Sequence, residues 1–570
     1  MTVVDCRAGR PVRMRWKAGM AAGLLLAGVS VTGCSSGTGA TAGQAATANP
    51  AEAGKEYKPS GPLKADTGFR PDKDGFGFQN YGNEEGITNL TSNEMRRLFG
   101  DKVCADAAVG KCDLTPEAQM WMEQQNAGMN GGHCYGFSVA SLLWWKKTLN
   151  PAELGGKQTV ELAKDNAPAQ REIAYTFVHQ FMPTVMQNKV TGTPNDIVDR
   201  LLKELRPDNP ETWTIGIFKR DGSGGHAVTP YAVEDKGDGT AQILIYDNNF
   251  PKAVQRIDVD RKANTWKYTT AANPNDPAET YDGDASTNTL WMNPSNPGLQ
   301  QQPFPPVPPS GTGGTGAANP APSPGGAQAG GEAIEIFLNG NPRDHGHLVI
   351  TDDAGRRTGY VNGKLVNEIP GAQAMTRLAA TWEENLEPYY VLPKGIHFKI
   401  TLDGSALKTE DTESVAIIGS TFDMAVEGIR LKPGEQDTIT PSEKTGDLTY
   451  TPGKSQSPTL VLGATYPHSF YSVTLKDAAV GDNGTVKAQL PPAGGPFTVD
   501  ASRAKAKGSY AVEVEREDDH GVRTFQRQGI ALEAGGTAAF DYRAWDGGGQ
   551  TITLTRTQQG ATSTENLTSE

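Results

Sequence analysis

The chain has 570 residues, a formal net charge of −13 and 36% apolar residues. That length exceeds what one hydrophobic core fills, so more than one domain is expected. The acidic balance excludes a nucleic-acid binder, which needs a basic face.

At the N-terminus, Arg7, Arg10, Arg13, Arg15 and Lys17 precede an apolar run from Ala18 to Val31, too short for a comfortable membrane span. The run ends in Val31-Thr32-Gly33-Cys34. Small residues leading to a cysteine resemble the lipobox of bacterial lipoprotein signal peptides. The resemblance implies cleavage after residue 33 and a lipid on Cys34, with an uncleaved anchor helix as the alternative and Met14 as a second possible start. Residues 34–56 are Gly, Ala, Thr and Ser with few large apolar side chains, the composition of a disordered tether.

Cys6 leaves with the signal, so Cys34, Cys104, Cys112 and Cys134 remain. Cys104 and Cys112 flank a short loop that a disulfide closes easily, as expected in an exported protein. Cys134 is then a leftover thiol, to be buried or used; pairing with Cys104 or Cys112 would remove it.

The folded part reads as α+β, with helices first and an antiparallel sheet afterwards, over residues 57–294. Thr91-Ser92-Asn93-Glu94 and Thr115-Pro116-Glu117 open helices. A long apolar run from Cys134 to Trp145 makes a buried helix extending to about Asn150. Further helices are expected over 172–181 and 195–205. From Trp213 the period changes, and strands are expected at 213–218, 227–233, 242–246, 253–259 and 265–269. Residues 295–332 are a Pro/Gly/Ala-rich linker. Residues 333–557 alternate short strand patterns with turns, the signature of an all-β, sandwich-like region of one or two domains. Residues 558–570 read as a disordered tail.

Gly131 and Gly132 lead through His133 to Cys134 at a helix N-terminus, where free N–H groups and the dipole lower a thiol pKa. Gly222 to Gly225 lead to His226 at the start of a strand. A hairpin turn centred between Lys236 and Gly237 sets His226 opposite Asp247; centred on Gly237 it sets His226 opposite Asn248. Either residue can orient an imidazole. A nucleophile, a base and an orienter in that order resemble papain-like cysteine peptidases, including a bacterial branch of that superfamily. The resemblance spans roughly Gln124 to Pro251. It implies a papain-like N-terminal domain in which His226 deprotonates Cys134 and Asp247, or Asn248, holds the ring. The family's oxyanion glutamine would fall at Gly128, so Gln125, Gln124 or Asn130 must supply that donor here. His133 replaces a small residue and would crowd the cleft or act as a ligand.

The expected protein is a lipid-anchored hydrolase on the extracytoplasmic face of a bacterial membrane. It would cleave a peptide or amide, with cell-wall cross-links among the substrates, and need neither metal nor other cofactor. A binding lipoprotein with a dead cleft and an acyl transferase use the same residues. His179 reads as structural. Asp344-His345-Gly346-His347 holds a His-x-His pair with no third ligand in view, and Glu515 to His520 reads as a solvated hairpin tip.

Overall fold

The computed structural model describes residues 61–570 apart from 108–109, 221, 223, 272–277, 307–332, 342–343, 380–386, 467–468, 519–520, 533–534, 543–544 and 546–550. The expected signal peptide, Cys34, the tether and most of the linker lie outside the described residues. The molecule mixes helices with many antiparallel strands.

In chain order, β1 (Leu63–Asp66) is followed by α1 (Ser92–Phe99), the short pair β2 (Cys104–Asp106) and β3 (Asp113–Leu114), α2 (Pro116–Gly128) and α3 (Cys134–Trp145). Thr91 caps α1 in a reciprocal box with Glu94, and Thr115 caps α2 ahead of Pro116. Cys104 and Cys112 are disulfide-bonded, with Cα atoms 5.0 Å apart, which leaves Cys134 as a free, buried cysteine. Next come α4 (Ala167–Phe177), α5 (Pro183–Gln187) and α6 (Pro194–Glu204). Helix α3 stops at Trp145, short of the expected Asn150, where Lys147 takes a positive φ.

The sheet strands follow: β4 (Trp213–Ile217), β5 (His226–Asp235), β6 (Thr240–Tyr246), β7 (Gln255–Asp260), β8 (Thr265–Thr270), β9 (Glu279–Asp284) and β10 (Leu290–Pro294). They pair antiparallel in the order β10-β4-β5-β6-β7-β8-β9, with β1 also on β5. The two-residue period splits the sheet's sides. Ile243 and Ile245 share a core with Ile197, Val198 and Leu201 of α6, while Leu244 and Tyr246 share one with Leu142 of α3. Helix α3 is apolar all round because it is enclosed all round: Phe137, Ala140 and Trp144 pack on Phe76 and Ile173, and Tyr135, Val139 and Leu143 join a third core.

Residues 333–568 form two further antiparallel sheets of nine and eleven strands, whose inward side chains merge into one apolar core. This β region is not held apart from the helices. Strand Ala333–Asn339 is buried on both sides: Ile334, Ile336 and Leu338 face that core, while Ala333 and Phe337 join Trp121 of α2 and Phe99 of α1. A continuous apolar run is what a strand covered on both faces requires. The expected disordered tail at 558–570 is instead ordered: strand Ala561–Thr568 pairs with strand Thr551–Gln558. Gln559 and Gly560 both take positive φ, the backbone of a tight hairpin turn, and carry the chain straight back.

Candidate active site

Cys134 is the first residue of α3 and is fully buried. Gly132 must approach closely here: its φ is +124°, and a Cβ on it would lie 2.1 Å from the Ala379 carbonyl oxygen. The Cys134 Sγ accepts the Ala227 N–H at 3.2 Å. The side chain of Asn248 ties the same junction, donating to the carbonyls of Cys134 (3.2 Å) and Ala227 (2.9 Å). Asn248 therefore clamps α3 to β5, and the orienting partner of His226 is Asp247.

His226 opens β5 and pairs with Ile217 of β4. Neither expected hairpin register is found. Asp235 pairs with Ala241, so the turn is centred on Asp238, and a bulge between Pro230 and Ala232 shifts the register again. His226 reaches Asp247 because β6 ends at Tyr246 and the chain then turns, with Phe250 N–H donating to the Asp247 carbonyl. The imidazole Nε2 lies 2.9 Å from Asp247 Oδ1. A carboxylate accepts, so the neutral ring carries its proton on Nε2 and leaves Nδ1 as the basic nitrogen. That Nδ1 is buried and has no hydrogen-bond partner.

Asp247 is fully buried and densely satisfied. Its Oδ1 also accepts the Asn249 N–H at 2.9 Å, and Oδ2 accepts the hydroxyls of Tyr268 (2.6 Å) and Thr270 (3.0 Å). Burial would raise its pKa, but His226, the Tyr268 hydroxyl and the Asn249 N–H together hold it below the ordinary carboxylate range.

The thiol departs from expectation. Burial pushes the Cys134 pKa well up and the Asp247 charge adds to that, outweighing the Ala227 N–H and the helix terminus. The β region contributes to that enclosure, since Leu378 and Ala379 share the apolar cluster of Cys134. Segment Arg377–Ala379 crosses the two glycine-rich approaches: Ala379 N–H donates to the Gly225 carbonyl (3.2 Å), and Leu378 N–H donates to Gln180 Oε1 (2.7 Å). A Cβ on Gly225 would lie 2.4 Å from the Arg377 carbonyl oxygen.

The amide that meets this segment is Asn80. Its Oδ1 accepts the N–H groups of His133 (2.7 Å) and Tyr81 (3.0 Å), which leaves Nδ2 facing the Ala379 carbonyl at 3.4 Å. Sequence reasoning missed Asn80, which lies in an aperiodic Gly- and aromatic-rich stretch; the amide pair Gln79-Asn80 between Phe78 and Tyr81 was the available signal. The expected donors are Gln125, Gln124 and Asn130. Gln125 is buried on α2 with neither amide atom partnered, Gln124 accepts from Asn339, and Asn130 is exposed. His133 does not crowd the cleft: its ring turns to the Tyr81 carbonyl (2.7 Å) and the Asn89 side chain (2.8 Å), and burial pushes its pKa down to about 4. His179 is fully buried against Tyr175.

Comparison of the chain with protein-family models, with curated proteins and with solved structures gives no match.

Proposed function

We propose that this protein is a cysteine-type hydrolase of peptide or amide bonds, with Cys134 as nucleophile, His226 as general base and acid, and Asp247 as orienter. The observation that carries the reading is the His226 ring. One nitrogen is pinned on a buried carboxylate, the other is buried and unpartnered, and the adjoining Ala227 N–H rests on the Cys134 sulfur. An unpaired buried nitrogen costs stability, and a proton-transfer role accounts for keeping it.

In the reaction, Nδ1 takes the thiol proton and the thiolate attacks the carbonyl carbon. The oxyanion is met by Asn80 Nδ2, a donor already aimed at a carbonyl oxygen. His226 returns the proton to the departing amine, and water, deprotonated by the same nitrogen, releases the acyl group from the thioester. The helix-on-antiparallel-sheet arrangement with Cys134 at a helix start and His226 at a strand start supports a papain-like fold for residues 57–294. The lipobox-like Val31 to Cys34 supports a lipid anchor at the extracytoplasmic face of the membrane, and that location favours peptide or cell-wall substrates.

One observation favours a second reading, a surface binding protein with an inert cleft: Cys134 is wholly buried and its thiol pKa is raised. A peptide carrying a thiol-reactive electrophile separates the two. The hydrolase reading expects an adduct on Cys134 in the folded wild type and none in His226→Ala, with peptide hydrolysis lost in both His226→Ala and Cys134→Ser. Peptide binding without adduct or turnover, in a chain whose unfolded form is readily labelled, establishes the binding protein instead.

A further inference from the structure

We infer that His345, His347 and Glu387 form a binding site for a divalent transition-metal cation of the zinc type, separate from the cysteine centre. The sequence offers His345 and His347 without a third ligand; the fold supplies it. His347 begins strand His347–Asp352, and His345 lies two residues earlier; Glu387 precedes strand Tyr389–Pro393 in the other sheet. One ligand atom from each of the three lies within 4.8 Å of the other two, and among the described residues this is the set of histidine and carboxylate groups so placed. Small side-chain shifts bring such atoms into a tetrahedral shell. Two imidazoles and a carboxylate leave a fourth position open, the donor set zinc takes where water or another group completes the shell.

The surroundings favour a cation. Glu387 Oε2 lies 2.8 Å from His347 Nδ1, and its Oε1 accepts the Leu348 N–H (3.0 Å) and the Tyr390 hydroxyl (2.6 Å). That carboxylate is fixed from three sides, as an outer shell fixes a ligand. The His347 ring stacks on Tyr360, with centroids 4.1 Å apart. A second buried carboxylate adjoins the site: Glu413 Oε1 accepts the Gly346 N–H, while its Oε2 is buried with no hydrogen-bond partner. An unpaired buried carboxylate oxygen beside two imidazoles is costly unless a positive charge arrives. Calcium and magnesium prefer oxygen-only shells, so two imidazoles select a transition metal. On loading, the cation replaces the proton shared by His347 and Glu387, and that proton goes to solvent.

Co2+ titration of the metal-stripped full chain tests the site, with Cys134→Ser as the background so that the thiol cannot bind the probe. Uptake of one Co2+ per chain with the visible bands of tetrahedral cobalt, displaced by Zn2+ and accompanied by proton release, is the expected result. His345→Gln and Glu387→Gln should each abolish the bands or weaken Zn2+ binding by more than ~10-fold. No uptake by the Cys134→Ser chain overturns the proposal without any need for the ligand variants to fold. Bands that survive in folded His345→Gln and Glu387→Gln overturn it as well, because the metal then lies elsewhere.

Discussion

At the residue scale, Asp247 does three things with one carboxylate: it sets the His226 tautomer, anchors the turn after β6 through Asn249, and ties that turn to β8 through Tyr268 and Thr270. Asp247→Asn removes the charge and places an amide where one acceptor stood, so the ring loses its fixed tautomer. In the hydrolase reading, kcat on a peptide substrate should fall by roughly 10³- to 10⁴-fold with little change in KM. A loss confined to KM would make Asp247 a binding residue. Asn80→Ala should cost roughly 10²- to 10³-fold in kcat, as removal of one oxyanion donor does. An unchanged kcat would remove Asn80 from the reaction. The trio was legible because each member stands where an element begins or ends, which glycines and periodicity mark. The proposed oxyanion donor was not: the offset borrowed from a family pattern fell on Gly128, which has no side-chain donor, and the nearby amides Gln125, Gln124 and Asn130 stood in for it, whereas Asn80 is placed by a loop that carries no period.

At the element scale, α3 and α4 meet where Gly136 lets the backbones touch. A Cβ on Gly136 would lie 2.1 Å from the Ile173 carbonyl oxygen, and Thr176 Oγ1 donates to the Gly136 carbonyl at 3.0 Å. Gly136→Ala should destabilise by about 1–3 kcal/mol, the usual cost of overpacking, against the small gain alanine brings to a free helix. Equal or higher Tm in the variant would show that α4 moves freely. Helix α2 poses a different problem. Its Glu117 and Glu123 face Asp423 of strand Phe422–Leu431, and burial followed by these like charges pushes the Asp423 carboxyl well up. Burial likewise raises Glu123 to about 6 and, with Glu123, Glu427 to about 7. Raised folded-state values mean that stability is fully present below the unfolded carboxyl pKa of ~4 and is lost as pH rises through about 6 to 7. Asp423→Asn should therefore raise Tm by ~1–3 °C at pH 8 and leave it unchanged at pH 5. A rise of equal size at both pH values would trace the effect to packing rather than charge.

At the scale of the whole molecule, the β region both supports the helices and closes the site. Strand patterns in residues 333–557 were readable from turn residues and alternation. Contact with α2 was not, because nothing local tells an apolar strand which partner covers its second face; Phe337 meeting Trp121 is a fact of tertiary packing. For the same reason no local signal marked Arg377–Ala379 as the segment over Cys134. Leu378 is nearly fully buried there, held by Gln180 through its N–H and with its side chain against Gly216. In the hydrolase reading, a substrate carbonyl and the Ala379 carbonyl would compete for Asn80, so turnover would require this segment to swing out. Reaction of Cys134 with iodoacetamide then reads the opening equilibrium, since a wholly buried thiol with a raised pKa does not react. Leu378→Gly removes the buried side chain and, at the ~2–5 kcal/mol such truncations cost, should favour the open form. Labelling near neutral pH should rise tenfold or more, because each ~1.4 kcal/mol of opening free energy is a factor of ten. Peptide hydrolysis should rise with it, and both should vanish in Leu378→Gly combined with Cys134→Ser. If Tm falls while the labelling rate stays at the wild-type value, the segment is part of the fixed scaffold, and substrate must reach Cys134 by another path.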